Sequence, residues 1–229
     1  MTHTHRRPSP CFVLLACCCI LPGRGSSLAA QWRVEGWLGT AWNTHSAMTI
    51  SQRGQPDIVV RPNWSTNPWD PTWYYAGRVS KWSGNRAWAF EYIHHKLYLD
   101  NPPAEVEFFR ITNGVNFFLA ERLWRKHRWE FGFATGPVFL VPISKIRGGE
   151  YNKANGIWGS QYDLGGAALS ADATFRLMLI PWVHGSLSLR GTAAALKANI
   201  ADGKATMMNY ALHLNYGMSL QSKRDAKHP

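Results

Sequence analysis

The sequence predicts an all-β chain: an eight-stranded antiparallel transmembrane β-barrel of outer-membrane type, following a cleaved signal peptide. Three observations predict it. Apolar and polar residues alternate with period two over 205–220, strand-like segments are joined by alternately long and short connections, and tryptophans gather at predicted strand ends. Sixteen residues of unbroken alternation is longer than an ordinary globular strand, whereas a tilted membrane-spanning strand needs ~9–11 residues.

The presequence comes first. Arg6 and Arg7 precede an apolar stretch from Cys11 to Pro22, and Ser27-Leu28-Ala29 supplies small residues for cleavage, so 1–29 reads as a secretory signal peptide. Leu14-Leu15-Ala16-Cys17 also approximates a lipobox, which would place a lipid on Cys17. All four cysteines lie in the first twenty residues, so the remainder has neither a disulfide framework nor a thiolate metal site. Arg6, Arg7 and Arg24 leave with the presequence and no acid does, which reduces the net charge from +11 to +8. For an exported basic chain the expected partner is an anionic membrane surface, not nucleic acid.

The eight strands are expected near 32–42, 72–82, 86–98, 104–118, 128–141, 161–179, 182–196 and 205–220, within a barrel domain of 30–220 and ahead of a basic periplasmic tail at 221–229. Ser83-Gly84-Asn85 and Ile180-Pro181 are tight turns; 119–127 is a longer connection at the same end. The remaining connections are longer, as external loops are in outer-membrane barrels. Trp32, Trp82, Trp88, Trp124, Trp129 and Trp182 fall near periplasmic ends, and Trp42, Trp73 and Trp158 near external ends, where indoles favour an interface. Glu35, Arg78, Glu91, Arg110, Glu130, Asp172, Arg176 and Arg190 fall on the opposite face, where they can pair inside a lumen. Two other architectures stay open: a soluble barrel with an apolar interior, and helices over 167–179 and 193–201, where good helix formers are frequent.

The densest polar cluster is Glu91-Tyr92-Ile93-His94-His95-Lys96-Leu97-Tyr98, at the external end of the third predicted strand. Period two puts His94, Lys96 and Tyr98 on the lipid-facing side with Trp88, Phe90 and Tyr92, and Glu91 and His95 in the lumen. A cation and an imidazole there can meet a phosphorylated sugar headgroup; equally, Lys96 and Tyr98 can serve as interfacial anchors. His45 and Ser46 fall at a similar height on the first strand. His184-Gly185-Ser186 has the His-x-Ser spacing of outer-membrane lipid A deacylases, yet falls at a periplasmic strand end with no following carboxylate before Asp202. Zinc-protease, dinucleotide and phosphate-loop motifs are missing, and with them any flavin or nicotinamide signature.

Phe90-Glu91-Tyr92-Ile93-His94-His95-Lys96-Leu97-Tyr98 with Thr112-Asn113-Gly114-Val115-Asn116 is similar to the lipid A oxidases of Gram-negative outer membranes, which carry a His-x-Lys-x-Tyr strand followed by Thr-Asp-Gly-x-Asn. The likeness extends to Thr44-His45-Ser46, Gly191-Thr192, the Ala201-Asp202-Gly203 turn and 209–219. Asn113 stands where the family pattern has an acid, and the chain runs past Leu220 instead of ending on an aromatic. The resemblance implies oxidation of the proximal glucosamine of lipid A to an aminogluconate unit with dioxygen. It implies catalytic roles for His94, Tyr98 and His45 and substrate binding by Lys96 and Asn116, with a divalent transition metal as a possible cofactor whose ligands are unknown. It also implies lipopolysaccharide as partner and insertion into the outer membrane by the barrel-assembly machinery. The alternative is a non-enzymatic small outer-membrane barrel with a structural, adhesive or narrow-channel role.

Overall fold

The computed structural model describes residues 31–152 and 162–222. The expected signal peptide, Trp158 and all of the tail beyond Ser222 lie outside the described residues. Thirteen strands are described: β1 (Gln31–Asn43), β2 (Met48–Gln52), β3 (Ile58–Val60), β4 (Trp64–Ser65), β5 (Tyr75–Ser83), β6 (Arg86–Leu99) and β7 (Val106–Lys126), then β8 (Trp129–Leu140), β9 (Ile143–Ile146), β10 (Gly149–Tyr151), β11 (Asp163–Ile180), β12 (Val183–Ile200) and β13 (Gly203–Gln221).

This corrects the eight-stranded expectation. The strands form one irregular thirteen-stranded sheet in the order β10-β9-β7-β8-β11-β12-β13-β1-β5-β6-β4, with β2 and β3 branching from β13 and a further pairing between β6 and β7. Segments read as loops are short strands whose apolar side chains dock on the core. Met48 and Ile50 in β2, Ile58 in β3 and Ile146 in β9 are buried in an apolar core with Ile93, Leu97, Phe117, Leu140 and Ile200 from the long strands. Burial of each such side chain is worth ~1.5–3 kcal/mol, enough to draw a short polar-flanked segment onto the sheet. The segment 119–127 is also corrected: β7 continues through it to Lys126, and only His127 and Arg128 turn the chain. The helical alternative for 167–179 and 193–201 gives way to β11 and β12, paired from Gly166 opposite Leu196 down to Ile180 opposite Val183.

Each long strand has two unlike faces. Trp32, Val34, Phe90, Phe131, Phe133, Leu187, Leu189, Leu212 and Leu214 are exposed on one. Arg33, Glu35, Arg78, Glu91, Glu121, Glu130, Asp172, Arg176 and Arg190 are buried on the other. Arg78 Nε donates to Glu35 at 2.9 Å and its Nη1 to Glu121 at 3.0 Å. Arg190 pairs with Glu91 at 2.6 Å and lies 3.7 Å from Asp172, while Arg33 meets Glu130 at 2.7 Å. Arg176 bonds both Glu130 and Glu35. Gly132 makes this packing feasible: a Cβ there would stand 2.2 Å from an Asp172 oxygen and 2.3 Å from a Glu121 oxygen.

Two expected placements differ. Arg110 stays out of the network, its guanidinium lying 5.5 Å from the Phe108 ring. Trp82 is buried instead of lying in the interfacial girdle, with Arg33 and Arg125 over its ring at 5.0 and 4.0 Å. Trp32, Trp88, Trp124, Trp129 and Trp182 are exposed at the tight-turn end, and Trp42 and Trp73 at the end with the long connections.

Candidate functional site

β6 carries the expected cluster toward the end with the long connections. Glu91 and His95 point inward: Glu91 pairs with Arg190, and His95 Nε2 lies 2.9 Å from Asn43 Oδ1, its ring 5.3 Å from that of His213. On the outward side Trp88 and Phe90 are bare, but His94 and Lys96 are buried. The cover is the chain between β4 and β5. Lys96 Nζ donates to the Asp70 carbonyl at 2.9 Å, and the Thr72 hydroxyl lies 3.1 Å from His94 Nε2. The Tyr75 ring stacks on His94 with centroids 5.1 Å apart and planes at 17°.

Asn116 reaches this cluster through an irregularity in β7. Pairing with β6 passes from His95 opposite Val115 to Leu97 opposite Ile111, so Thr112, Asn113 and Gly114 stand as extra residues across from Lys96. Gly114 has φ of +120°, and a Cβ there would meet the Asn116 amide at 2.4 Å. The Thr-Asn-Gly-x-Asn spacing thus has a local physical reason: the bulge needs the glycine, and Asn116 then sits opposite His94. Asn116 Oδ1 accepts a 2.6 Å bond from the Tyr92 hydroxyl and lies 2.9 Å from His94 Nδ1. Its Nδ2 faces the Asn113 carbonyl at 3.4 Å, which fixes the amide orientation. Nδ1 of His94 is thereby placed to donate to Asn116 Oδ1, while Nε2 faces the Thr72 hydroxyl, which also donates to the Thr112 carbonyl at 3.3 Å. His94 is thus buried and held in orientation at both ring nitrogens.

Of the five expected site residues, His94, Lys96 and Asn116 come together, with Lys96 Nζ 5.8 Å from the Tyr98 ring. His45 sits apart: its Nδ1 is 2.8 Å from the Pro62 carbonyl, and it lines a shallow cleft of about 330 Å³ with Trp64, Thr66 and Pro68. Sequence reasoning left out Tyr92 as a participant although it shares the alternating face. Asp70 and Thr72 gave no signal, because a long connection has no periodicity to reveal what it covers.

The other candidates separate. Ser186 accepts a 2.9 Å bond from Trp37 Nε1, while His184 lines a cavity of about 320 Å³ at the tight-turn end with Arg33, Arg125 and Glu130. Among the described residues no three His, Cys, Asp or Glu side chains gather as metal ligands, so His94 with an amide and a hydroxyl does not make a metal donor set.

No protein family and no curated protein matches the chain. Among solved structures it is similar to Neisserial surface protein A, at 8% identity and a TM-score of 0.40 over 83% of this chain and 96% of that one. The outer membrane protein OprG of Pseudomonas aeruginosa gives 8% and 0.41 over 84% and 96%, and the outer membrane protein AlkL gives 10% and 0.48 over the whole of both chains. None of these three is described as a lipid A oxidase, so that resemblance rests on the residues alone.

Proposed function

We propose that the chain is a small outer-membrane protein with a structural or adhesive role, its long strands crossing the bilayer and its outer wall in contact with a phosphorylated lipid headgroup. The sidedness of the sheet carries this reading: large apolar side chains face outward, while the charges on the other face are buried and mutually paired. A soluble barrel has the reverse arrangement, and a narrow channel is disfavoured because Arg78, Arg176 and Arg190 with their carboxylates cross the interior. No described helix is long and apolar enough to cross a membrane. Fractionation tests this. The protein is expected with the outer membrane, with heat-modifiable gel mobility; recovery from the soluble periplasm overturns the proposal.

A second reading, oxidation of the proximal glucosamine of lipid A, is favoured by one observation: His94, Lys96, Asn116 and Tyr92 are gathered on the outward wall at the long-connection end. In that reading Lys96 meets a lipid A phosphate, His94 Nε2 takes the proton of the anomeric hydroxyl and Asn116 holds the imidazole in the required tautomer. Tyr98 would position the sugar. Both readings require the Asp70–Thr72 cover to lift. Mass spectrometry of lipid A from an aerated host lacking such enzymes distinguishes them: a gain of one oxygen atom supports oxidation. Unchanged lipid A with the protein folded in the outer membrane leaves the non-enzymatic role.

A further inference from the structure

The outward wall carries an apolar groove of about 750 Å³ that the headgroup site does not use. Its floor follows one row of cross-strand partners, Leu177 opposite Gly185, Gly185 opposite Met218 and Met218 opposite Gly36, a row that continues beyond the groove to Gly77. Gly185 and Gly36 in that row leave a trench where neighbouring rows have bulk. The next row forms a rim of Phe175, Leu187, Tyr216, Leu38 and Tyr75. The stagger of the strands inclines the trench. It begins three residues before the tight-turn end of β11 and reaches β5 at Tyr75 and Ala76, the first two residues at that strand's long-connection end. Tyr75 closes its upper end, and the same ring stacks on His94.

We infer that this groove holds one acyl chain of the outer-leaflet lipid whose phosphate-bearing head meets the His94–Lys96 cluster. The inference rests on the headgroup reading and extends it from a polar contact to a lipid held by head and tail. The occupant follows from continuity: a cationic head site and an apolar trench share Tyr75, and the trench descends from there across the wall. Its size lies within the range of small-molecule sites, and its walls are hydrocarbon and aromatic carbon. A phosphorylated glycolipid with a long acyl chain satisfies both parts, whereas a lipid bound only by its head has no use for the glycine row.

Glycine geometry provides a clean perturbation. A Cβ on Gly36 meets nothing within 4 Å, so Gly36→Leu fills the trench without disturbing the sheet. Gly191, also outward and also unobstructed, lies off the trench and serves as control. The probes are lipid A and its fully deacylated disaccharide phosphate, each added to the detergent-solubilised protein and counted by native mass spectrometry. Wild type and Gly191→Leu are expected to retain lipid A alike. Gly36→Leu should retain it about tenfold less, the equivalent of two buried methylene groups, yet bind the deacylated probe as wild type does. Lys96→Ala should lose both. If Gly36→Leu keeps lipid A like wild type while Lys96→Ala loses it, the groove proposal is overturned and the headgroup reading stands. If Lys96→Ala keeps lipid A and Gly36→Leu loses it, the groove binds a chain but the headgroup reading fails. Heat-modifiable mobility confirms that each variant is folded.

Discussion

Replacing Glu130 with glutamine keeps the shape of the side chain and removes one negative charge from the centre of three arginines. Glu130 Oε1 lies 2.7 Å from Arg33 Nη1 and 2.8 Å from Arg125 Nε, and Oε2 bonds Arg176. Arg176 keeps Glu35 as a partner, and Arg125 is a quarter exposed and can turn to water. Arg33 has no such recourse. Its side chain is 2% exposed, and its other described hydrogen bonds go to the neutral Gln221 amide oxygen. Leaving one buried charge uncompensated costs ~3–5 kcal/mol, so Glu130→Gln should lower unfolding stability by that amount. Urea titration in detergent, followed by tryptophan emission and heat-modifiable mobility, measures it. Adding Arg33→Met to Glu130→Gln should recover most of the loss, because the stranded charge leaves with its partner. A single-variant loss below ~1 kcal/mol would refute the claim that these pairs are sealed from water, since exposed pairs are worth no more than that.

Three further outcomes follow from the geometry. Gly136→Ala places a Cβ 2.0 Å from the Phe118 carbonyl oxygen and should destabilise the protein by ~1–3 kcal/mol, as overpacking does, whereas Gly36→Ala should be neutral in the same urea titration. Asn116→Ala removes the acceptor of Tyr92 and the partner of His94 Nδ1; at ~1–3 kcal/mol for a buried donor left unmade, a lowered midpoint is expected, with any lipid A modification abolished in the mass spectrum. Thr72→Val preserves the volume of the covering residue but cannot bond His94 Nε2. It should loosen the cover and speed hydrogen exchange in the 66–74 segment while leaving the urea midpoint within ~0.5 kcal/mol of wild type, as changes outside the core do.

The long strands were legible because their two faces obey opposite rules, so a single period predicts both burial and partner. Glu35, Arg78, Glu91, Glu130, Asp172, Arg176 and Arg190 all appear where alternation puts them. Glu121 was missed for a specific reason. Around it both faces of β7 are polar, with Arg122 lying over Trp88 at 4.9 Å outside and Arg125 over Trp82 within, so the contrast that marks a strand vanishes. β2, β3, β9 and β10 escaped because they are three to five residues long, too short for a period to register. At the site, His94 and Lys96 stood out by residue type and spacing, and Asn116 only through the resemblance to the lipid A oxidases. That His94 and Lys96 are covered could not be read there: Asp70 and Thr72 arrive from a connection whose path is set by where β4 and β5 dock.

The charged interior also bears on how the chain comes to be folded. Three of its pairs join directly facing residues of adjacent strands, Glu35 with Arg78, Asp172 with Arg190 and Arg125 with Glu130. Others join strands that are not neighbours in the sheet: Arg33 to Glu130, Arg78 to Glu121, Arg190 to Glu91. The β7–β8 and β11–β12 hairpins therefore each close one pair of their own, but Arg33, Glu91 and Glu121 find their partners on strands that are not adjacent. A sheet lacking one of those strands leaves an arginine or carboxylate without its partner, which is costly wherever that group is buried. The pairs that span several strands thus tie completion of the charged face to completion of the sheet.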